Sequence, residues 1–305
     1  MDNVLITLAG ATGNLGGRVC RALLERGAGV RAIVRRGSAP DDVEALRRHG
    51  AVIAEVDYAN AAELSAACAG GSCVLSAMSG LRDVIVDAQT LLLDVAVKAG
   101  VPRFIPSGFC IDFTKLAPGT NRNLDLRREF RARLDKAPVG ATSILNGAFT
   151  DMLTGQAPII LYKFKRVLSW GSADQLMDFS SIDDTAAFTA SAALDASTPR
   201  FLRIAGDQVN ARGLMAAATD VTGDEFRLFR AGGLGRLEVV IKFARALFPA
   251  RGELYPPWQG MQYVHNMFSG RAKLASLDND RYSRTRWTTA RDVLAQHQPQ
   301  IQSPR

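Results

Sequence analysis

The chain of 305 residues is 47% hydrophobic and 22% charged, a balance that suits a folded globular protein and excludes a disordered or low-complexity one. No run approaches the roughly 18 uncharged apolar residues of a membrane span, and the N-terminus opens directly into a core-like strand instead of a secretory leader, so a cytoplasmic location is expected. The net charge of +7 is spread evenly, with 18 Lys+Arg against 15 Asp+Glu up to residue 150 and 19 against 15 beyond it, so no basic stripe points to nucleic acid.

The first apolar run, residues 4–9, feeds straight into Gly10-Ala11-Thr12-Gly13-Asn14-Leu15-Gly16-Gly17. A buried strand entering such a turn predicts dinucleotide binding. Gly10 makes the tight turn, Gly13 lets backbone N–H groups approach a pyrophosphate, and Gly16 lets the next helix pack closely on the sheet. That helix places Leu15, Val19 and Leu23 on one face and stops at Gly27, and its N-terminus favours negative charge.

The second strand, residues 30–34, completes a strand–helix–strand unit and ends in Arg35-Arg36. An NAD site would carry Asp or Glu about 20 residues beyond the turn to bond the ribose hydroxyl. A guanidinium pairs instead with a 2′-phosphate through two parallel charge-assisted hydrogen bonds, so the expected cofactor is NADP(H).

A helix with Val43 and Leu46 follows and stops at Gly50, and a strand over 51–56 ends in Asp57-Tyr58, where Asp57 is a candidate cofactor contact. Asn60-x-x-Glu63 has the form of a capping box for the third helix. A fourth strand over 73–77 brings Ser76 and Ala77 to the cofactor crevice, and a long helix over 83–98 precedes a fifth strand whose end, Ser107, turns out over the cleft. A polar loop over 111–122 leads to a helix over 123–136 with Leu126, Phe130 and Leu134 as its buried stripe, then to a sixth strand over 141–145 and to Asn146-Gly147-Ala148-Phe149.

Beyond residue 150 the alternation weakens. A strand near 167–170, a turn at Ile182-Asp183-Asp184, a helix to Leu194 and a strand over 201–205 are expected to return to the main fold. Helices near 211–222 and 234–247 and the aromatic segment Tyr255, Trp258, Tyr263 and Phe268 suit a smaller lobe, with the aromatics either core or pocket lining. The expected architecture is therefore α/β. A Rossmann-type doubly wound parallel sheet occupies residues 1–150, and residues 151–305 supply returning segments and a smaller C-terminal α+β lobe.

The cysteines, Cys20, Cys68, Cys73 and Cys110, lack metal-ligand spacing and read as reduced thiols. His49, His265 and His297 are too scattered for a metal centre or a catalytic triad, and no metal is expected. The Tyr-x-x-x-Lys of ordinary short-chain dehydrogenases is missing, because Arg166, Met267 and Arg286 stand four residues after Tyr162, Tyr263 and Tyr282.

These residues resemble the NmrA-like, isoflavone-reductase-like branch of the atypical short-chain dehydrogenases. The resemblance rests on Gly10 to Gly16, Arg35, the run Arg103-Phe104-Ile105-Pro106-Ser107 before the loop with Asp112, and Ile182-Asp183-Asp184. It implies NADPH contacts along Thr12, Gly13, Asn14 and Leu15, at Arg35, near Ser76 and Ala77, and around Asn146 and Phe149, with the C-terminal lobe shaping a substrate site.

The family's reductases use a lysine on the helix after the fifth strand, and the matching position here is Arg127. Arginine keeps its proton, so Arg127 is a candidate electrostatic participant and not a general acid. The leading expectation is an NADPH-dependent reductase acting on a small activated acceptor, quinone-like, enone or aromatic carbonyl, with a homodimer allowed for and no membrane or nucleic-acid partner. A non-catalytic NADP(H)-sensing regulator and a nucleotide-retaining isomerase or cyclase are the alternatives.

Overall fold

The computed structural model describes residues 4–283 and 286–297. Its first part alternates strand and helix: β1 Leu5–Ala9, α1 Asn14–Glu25, β2 Gly29–Arg35, α2 Pro40–Arg48, β3 Val52–Val56, α3 Ala61–Cys68 and β4 Cys73–Ser76. A π-helical stretch, Asp83–Ala88, then runs into α4 Gln89–Lys98, followed by β5 Arg103–Ile105, α5 Arg122–Leu134, β6 Gly140–Ala141 and β7 Ser143–Leu145. The remaining strands are β8 Ala148–Phe149, β9 Ile160–Leu161, β10 Arg166–Trp170, β11 Met177–Ser180, β12 Phe201–Arg203, β13 Asp207–Val209 and β14 Arg227–Gly232. The remaining helices are α6 Ile182–Leu194, α7 Ala211–Thr222, α8 Leu234–Leu247, α9 Pro257–Phe268 and α10 Ala290–Gln296.

The chain forms two compact units. The first comprises Met1–Phe109, Leu126–Ile144 and Thr185–Leu202; the second comprises Cys110–Asp125, Leu145–Asp184 and Arg203–Arg305. The grouping is interleaved, where the sequence reading expected one division near residue 150 followed by returning segments.

The first unit holds a six-stranded sheet of order β3-β2-β1-β4-β5-β6 in which every neighbouring pair is parallel. Its central strands are continuous apolar runs because helices cover both faces: Ile6, Leu8 and Ala9 of β1 and Cys73, Val74 and Leu75 of β4 are fully buried. On one side Ala9, Ile33, Val74 and Phe104 pack with Leu92, Leu93 and Ala96 of α4 and with Phe130 and Leu134 of α5. The Phe104 and Phe130 rings lie 6.1 Å apart. Strand order reverses between β1 and β4, and the crevice at the carboxyl ends of these two strands is where this fold presents ligand-binding loops.

Several local expectations are corrected. Leu15 and Leu126 are half-buried, and the inner line of α1 runs through Gly16, Val19, Cys20 and Leu23. The strand expected over 141–145 breaks at Thr142, where the backbone changes partners. Thr142 donates its N–H to the Phe104 carbonyl, but Ser143 donates to the Arg200 carbonyl, so β7 pairs with β12 instead of continuing the main sheet. Asn60 caps α3 by accepting from the N–H groups of Ala62 and Glu63, but Glu63 does not complete a capping box; its carboxylate accepts from the Asp57 N–H at 2.8 Å. Ile182-Asp183-Asp184 is the first turn of α6 and not a separate turn.

In the second unit, β10 joins a three-stranded sheet of order β14-β10-β9 and so does not return to the main sheet. A second small sheet has the order β13-β11-β8. Buried carboxylates pin the C-terminal segment to this unit. Asp178 accepts from the Leu274 N–H at 2.6 Å and Asp184 from the Thr288 N–H at 2.7 Å. Of the aromatic segment, Trp258 and Phe268 are core while Tyr255 is exposed. The polar face of α9 is buried as well, where Gln259 donates to Asn121 at 2.7 Å and Asn121 donates to Asn266 at 3.1 Å. No helix among the described residues is long and apolar enough to cross a membrane.

Candidate dinucleotide site and catalytic helix

The glycine turn is built by close backbone approach. Gly10 has φ +78°, and a Cβ there would stand 2.7 Å from the Ala77 carbonyl carbon, so the chain leaving β1 packs directly on the chain leaving β4. A Cβ on Gly16 would lie 2.0 Å from the Gly10 carbonyl oxygen, which is why only glycine lets α1 start this close to the turn. Gly13 donates to the Gly10 carbonyl at 3.1 Å and serves as the N-cap of α1. No side chain caps this helix and no acidic residue occupies its first turn. The first-turn N–H groups of Asn14, Leu15 and Gly16 therefore have no intrahelical acceptor, and the helix end is suited to an anion. Thr12 is half-buried beside this turn.

Across the crevice, Ser76 is fully buried and its Oγ has no hydrogen-bond partner among the described residues. Ala77 donates to the Ala9 carbonyl at 2.8 Å, which fixes the two strand ends together. Ser107, at the end of β5, donates its hydroxyl to the Met78 carbonyl at 2.5 Å and its N–H to Gln89 Oε1 at 2.8 Å. A buried hydroxyl without a partner costs free energy unless a ligand or water completes it. With the uncapped helix and the glycine cradle, it shows that these residues fit a bound dinucleotide.

The two arginines at the end of β2 take different roles. Arg36 is held 2.7 Å from Glu63 Oε1, and Glu63 also bonds the Asp57 N–H and Asn60. The Asp57 N–H and then Arg36 hold the Glu63 carboxyl below the usual carboxylate range. Arg35 is exposed at the end of the strand. Asp57 accepts from the Ala59 N–H at 2.9 Å and so shapes the loop after β3. Sequence reasoning passed over Tyr58, which donates to the Ile33 carbonyl at 3.4 Å and whose phenol is pushed upward by burial. Its position at the end of an apolar strand was the available signal.

Arg127 is half-buried on α5. The loop beyond β4 is tied to this helix two residues further on, where the Arg82 guanidinium forks onto the Glu129 carboxylate and Arg133 meets the same group at 3.0 Å. Arg82 and then Arg133 hold Glu129 below its ordinary range. Sequence reading missed this tether because its members lie 47 residues apart.

In the second unit, Asn146 is fully buried, with its N–H on the Cys110 carbonyl at 3.2 Å, and neither atom of its side-chain amide has a partner among the described residues. The Thr150 Oγ is likewise buried without a partner. Between them Phe149 is half-buried at the end of β8. The structure thus brings the residues from Gly10 to Ser107, and Arg127, into one unit and places Asn146 and Phe149 in the other. No cluster of His, Cys, Asp or Glu able to hold a metal occurs among the described residues.

Sheet order, glycine turn and strand-end crevice define a Rossmann-type α/β protein. More particularly, the chain belongs to the NmrA-like family, which it matches over residues 2–228. It is similar in fold to a structure described as AtPrR2 with NADP+ and (+)pinoresinol, at 21% identity and TM-score 0.81, covering 97% of this chain and 99% of that one. A leucoanthocyanidin reductase–NADPH complex from Vitis vinifera is similar at 17% identity and TM-score 0.79, with coverage of 97% and 99%. An NADPH-dependent quinone oxidoreductase from Escherichia coli is similar at 19% identity and TM-score 0.72, with coverage of 95% and 98%. No curated protein matches the chain in sequence.

Proposed function

We propose that the protein is an NADPH-dependent reductase of a small activated acceptor, quinone-like, enone or aromatic carbonyl. The observation that carries this reading is the uncapped, glycine-built start of α1 in the same unit as the exposed Arg35. The first-turn N–H groups from Asn14 to Gly16 would hold the pyrophosphate, and Arg35 the 2′-phosphate, with Arg36 and Asp57 keeping the neighbouring loops in place through Glu63. Ser76, in the same unit, has a buried hydroxyl that a bound ligand can satisfy. Bound NADPH supplies the hydride.

Arg127 supplies charge and no proton: a guanidinium stays protonated throughout the working range, so it steadies a developing oxyanion or enolate while solvent delivers the proton. An acceptor whose reduced form is a stabilised anion needs nothing stronger. The similar folds named above include proteins described as NADPH-bound or NADPH-dependent reductases, which favours the same class of chemistry. One observation favours a second reading, a non-catalytic NADP(H) sensor: Arg127 stands where the family's reductases carry lysine.

The two readings separate in a spectrophotometric assay of NADPH consumption against a panel of quinones, enones and aromatic aldehydes, with an NADH arm. Turnover that prefers NADPH and falls in Arg127→Ala supports the reductase. Saturable NADPH binding without turnover across the panel supports the sensor.

A further inference from the structure

The carboxylate that holds Arg36 is itself fixed by other donors. Glu63 Oε2 accepts the Asp57 N–H at 2.8 Å, and Oε1 accepts from Asn60 Nδ2 at 2.9 Å. Asn60 is in turn the N-cap of α3, accepting the Ala62 N–H at 3.0 Å and the Glu63 N–H at 3.3 Å. The spacing Asp57-x-x-Asn60-x-x-Glu63 thus builds a carboxylate cradle from the loop between β3 and α3 alone. Arg36 comes to it as a third donor, with Nη2 2.7 Å from Oε1.

This pair stands at the corner that a 2′-phosphate would reach. Arg36 donates its N–H to the Val56 carbonyl at 3.2 Å, and Ser38 turns back onto the Arg35 carbonyl with its N–H at 3.0 Å and its hydroxyl at 2.8 Å, so both arginines leave one tight turn. The Tyr58 phenol lies against the Gly10 backbone and feels the Arg35 charge, so the loop that carries Asp57 borders the glycine turn. Arg35 is exposed and has no carboxylate partner among the described residues. The Arg36 side chain is 61% exposed, yet its charge is countered by Glu63. Of two adjacent guanidiniums, one is open to an anion and the other is withheld.

We infer that Glu63 is a specificity-determining residue: by holding Arg36 it leaves Arg35 alone to recognise the 2′-phosphate, and so limits how strongly the site distinguishes NADPH from NADH. The inference rests on the NADP(H) reading above. Carboxylate and phosphate are alternative partners for the same guanidinium fork, so they compete for Arg36, and the carboxylate is already in place. Replacing the carboxylate by an amide of the same shape removes its charge and releases Arg36 to a second phosphate contact. NADH carries a hydroxyl at that position and gains nothing.

The test is calorimetric titration of wild type, Glu63→Gln, Arg36→Ala and the double variant with NADPH, NADH and adenosine 2′,5′-bisphosphate, at low and high salt, with Arg35→Ala alongside. The glutamine amide oxygen still accepts the Asp57 N–H, and NADH affinity reports whether the loop is intact. The expected result is that Glu63→Gln tightens NADPH and the bisphosphate about three- to tenfold at low salt and less at high salt, with NADH unchanged and the gain lost in the double variant. NADPH affinity unchanged in Glu63→Gln, or a gain that survives Arg36→Ala, overturns the inference. So does a weakening of NADPH and NADH together, which would make Glu63 a loop brace only. In each of these cases a wild type that prefers NADPH by way of Arg35 leaves the cofactor reading standing. Equal binding of both nucleotides by wild type, untouched by Arg35→Ala, overturns both.

Discussion

At the scale of single residues, the chemistry turns on which side chains hold charge and which can give up a proton. Arg35 stands exposed where a 2′-phosphate would arrive, while Arg36 is already engaged by Glu63. Arg35→Ala is therefore expected to weaken NADPH binding roughly ten- to hundredfold while leaving NADH binding nearly unchanged, as calorimetric titration of both nucleotides would read. Arg36→Ala should have a smaller effect on both. Arg127→Ala should lower kcat about a hundredfold with little change in NADPH affinity, the signature of a group felt in the transition state. Because a guanidinium does not titrate in the working range, kcat is expected to show no basic limb from this residue between about pH 6 and 9. A bell-shaped profile lost in Arg127→Ala would contradict that role.

At the scale of elements, the glycine turn and α5 make separable demands. Gly16→Ala places a methyl group against the Gly10 carbonyl and forces the start of α1 away from the turn, so NADPH binding should vanish and the thermal midpoint fall. Phe130, buried on α5 against Phe104, anchors the helix that carries Arg127. Phe130→Ala is expected to cost about 3–5 kcal/mol of stability by urea unfolding. The elements around these sites were legible in sequence where their cause is local: the helices over 211–222 and 234–247 follow from periodicity, and the turn at Gly10 from its glycines. What escaped depends on distant partners. Nothing in the run from Ala141 to Leu145 says that Thr142 faces Phe104 while Ser143 faces Arg200, and Arg82 gives no sign of its pairing with Glu129.

At the scale of the whole molecule, the interleaving of two compact units follows from the same limit, since a contiguous stretch of sequence cannot announce that residues 110–125 leave the first unit and 185–202 rejoin it. The thiols also belong to this scale. Burial pushes Cys20 and Cys68 up to about 11 and Cys73 up to about 12, from an ordinary value of 9.0. The native protein should resist thiol reagents at pH 8 and react fully once unfolded, as a colorimetric thiol count would show. Because the folded state binds these protons more tightly, their contribution to stability is complete below about pH 9 and declines as pH rises through about 11 to 12. The central claim, hydride transfer to an activated acceptor, is tested most directly by supplying NADPH carrying two deuterons at the nicotinamide C4 and weighing the reduced product of an accepted enone or aromatic aldehyde, where the transferred deuteron is held on carbon and does not exchange with water. The account predicts that the deuterium appears in the product and that Arg127→Ala slows its appearance; an unlabelled product, or nucleotide bound with no product formed, would contradict it.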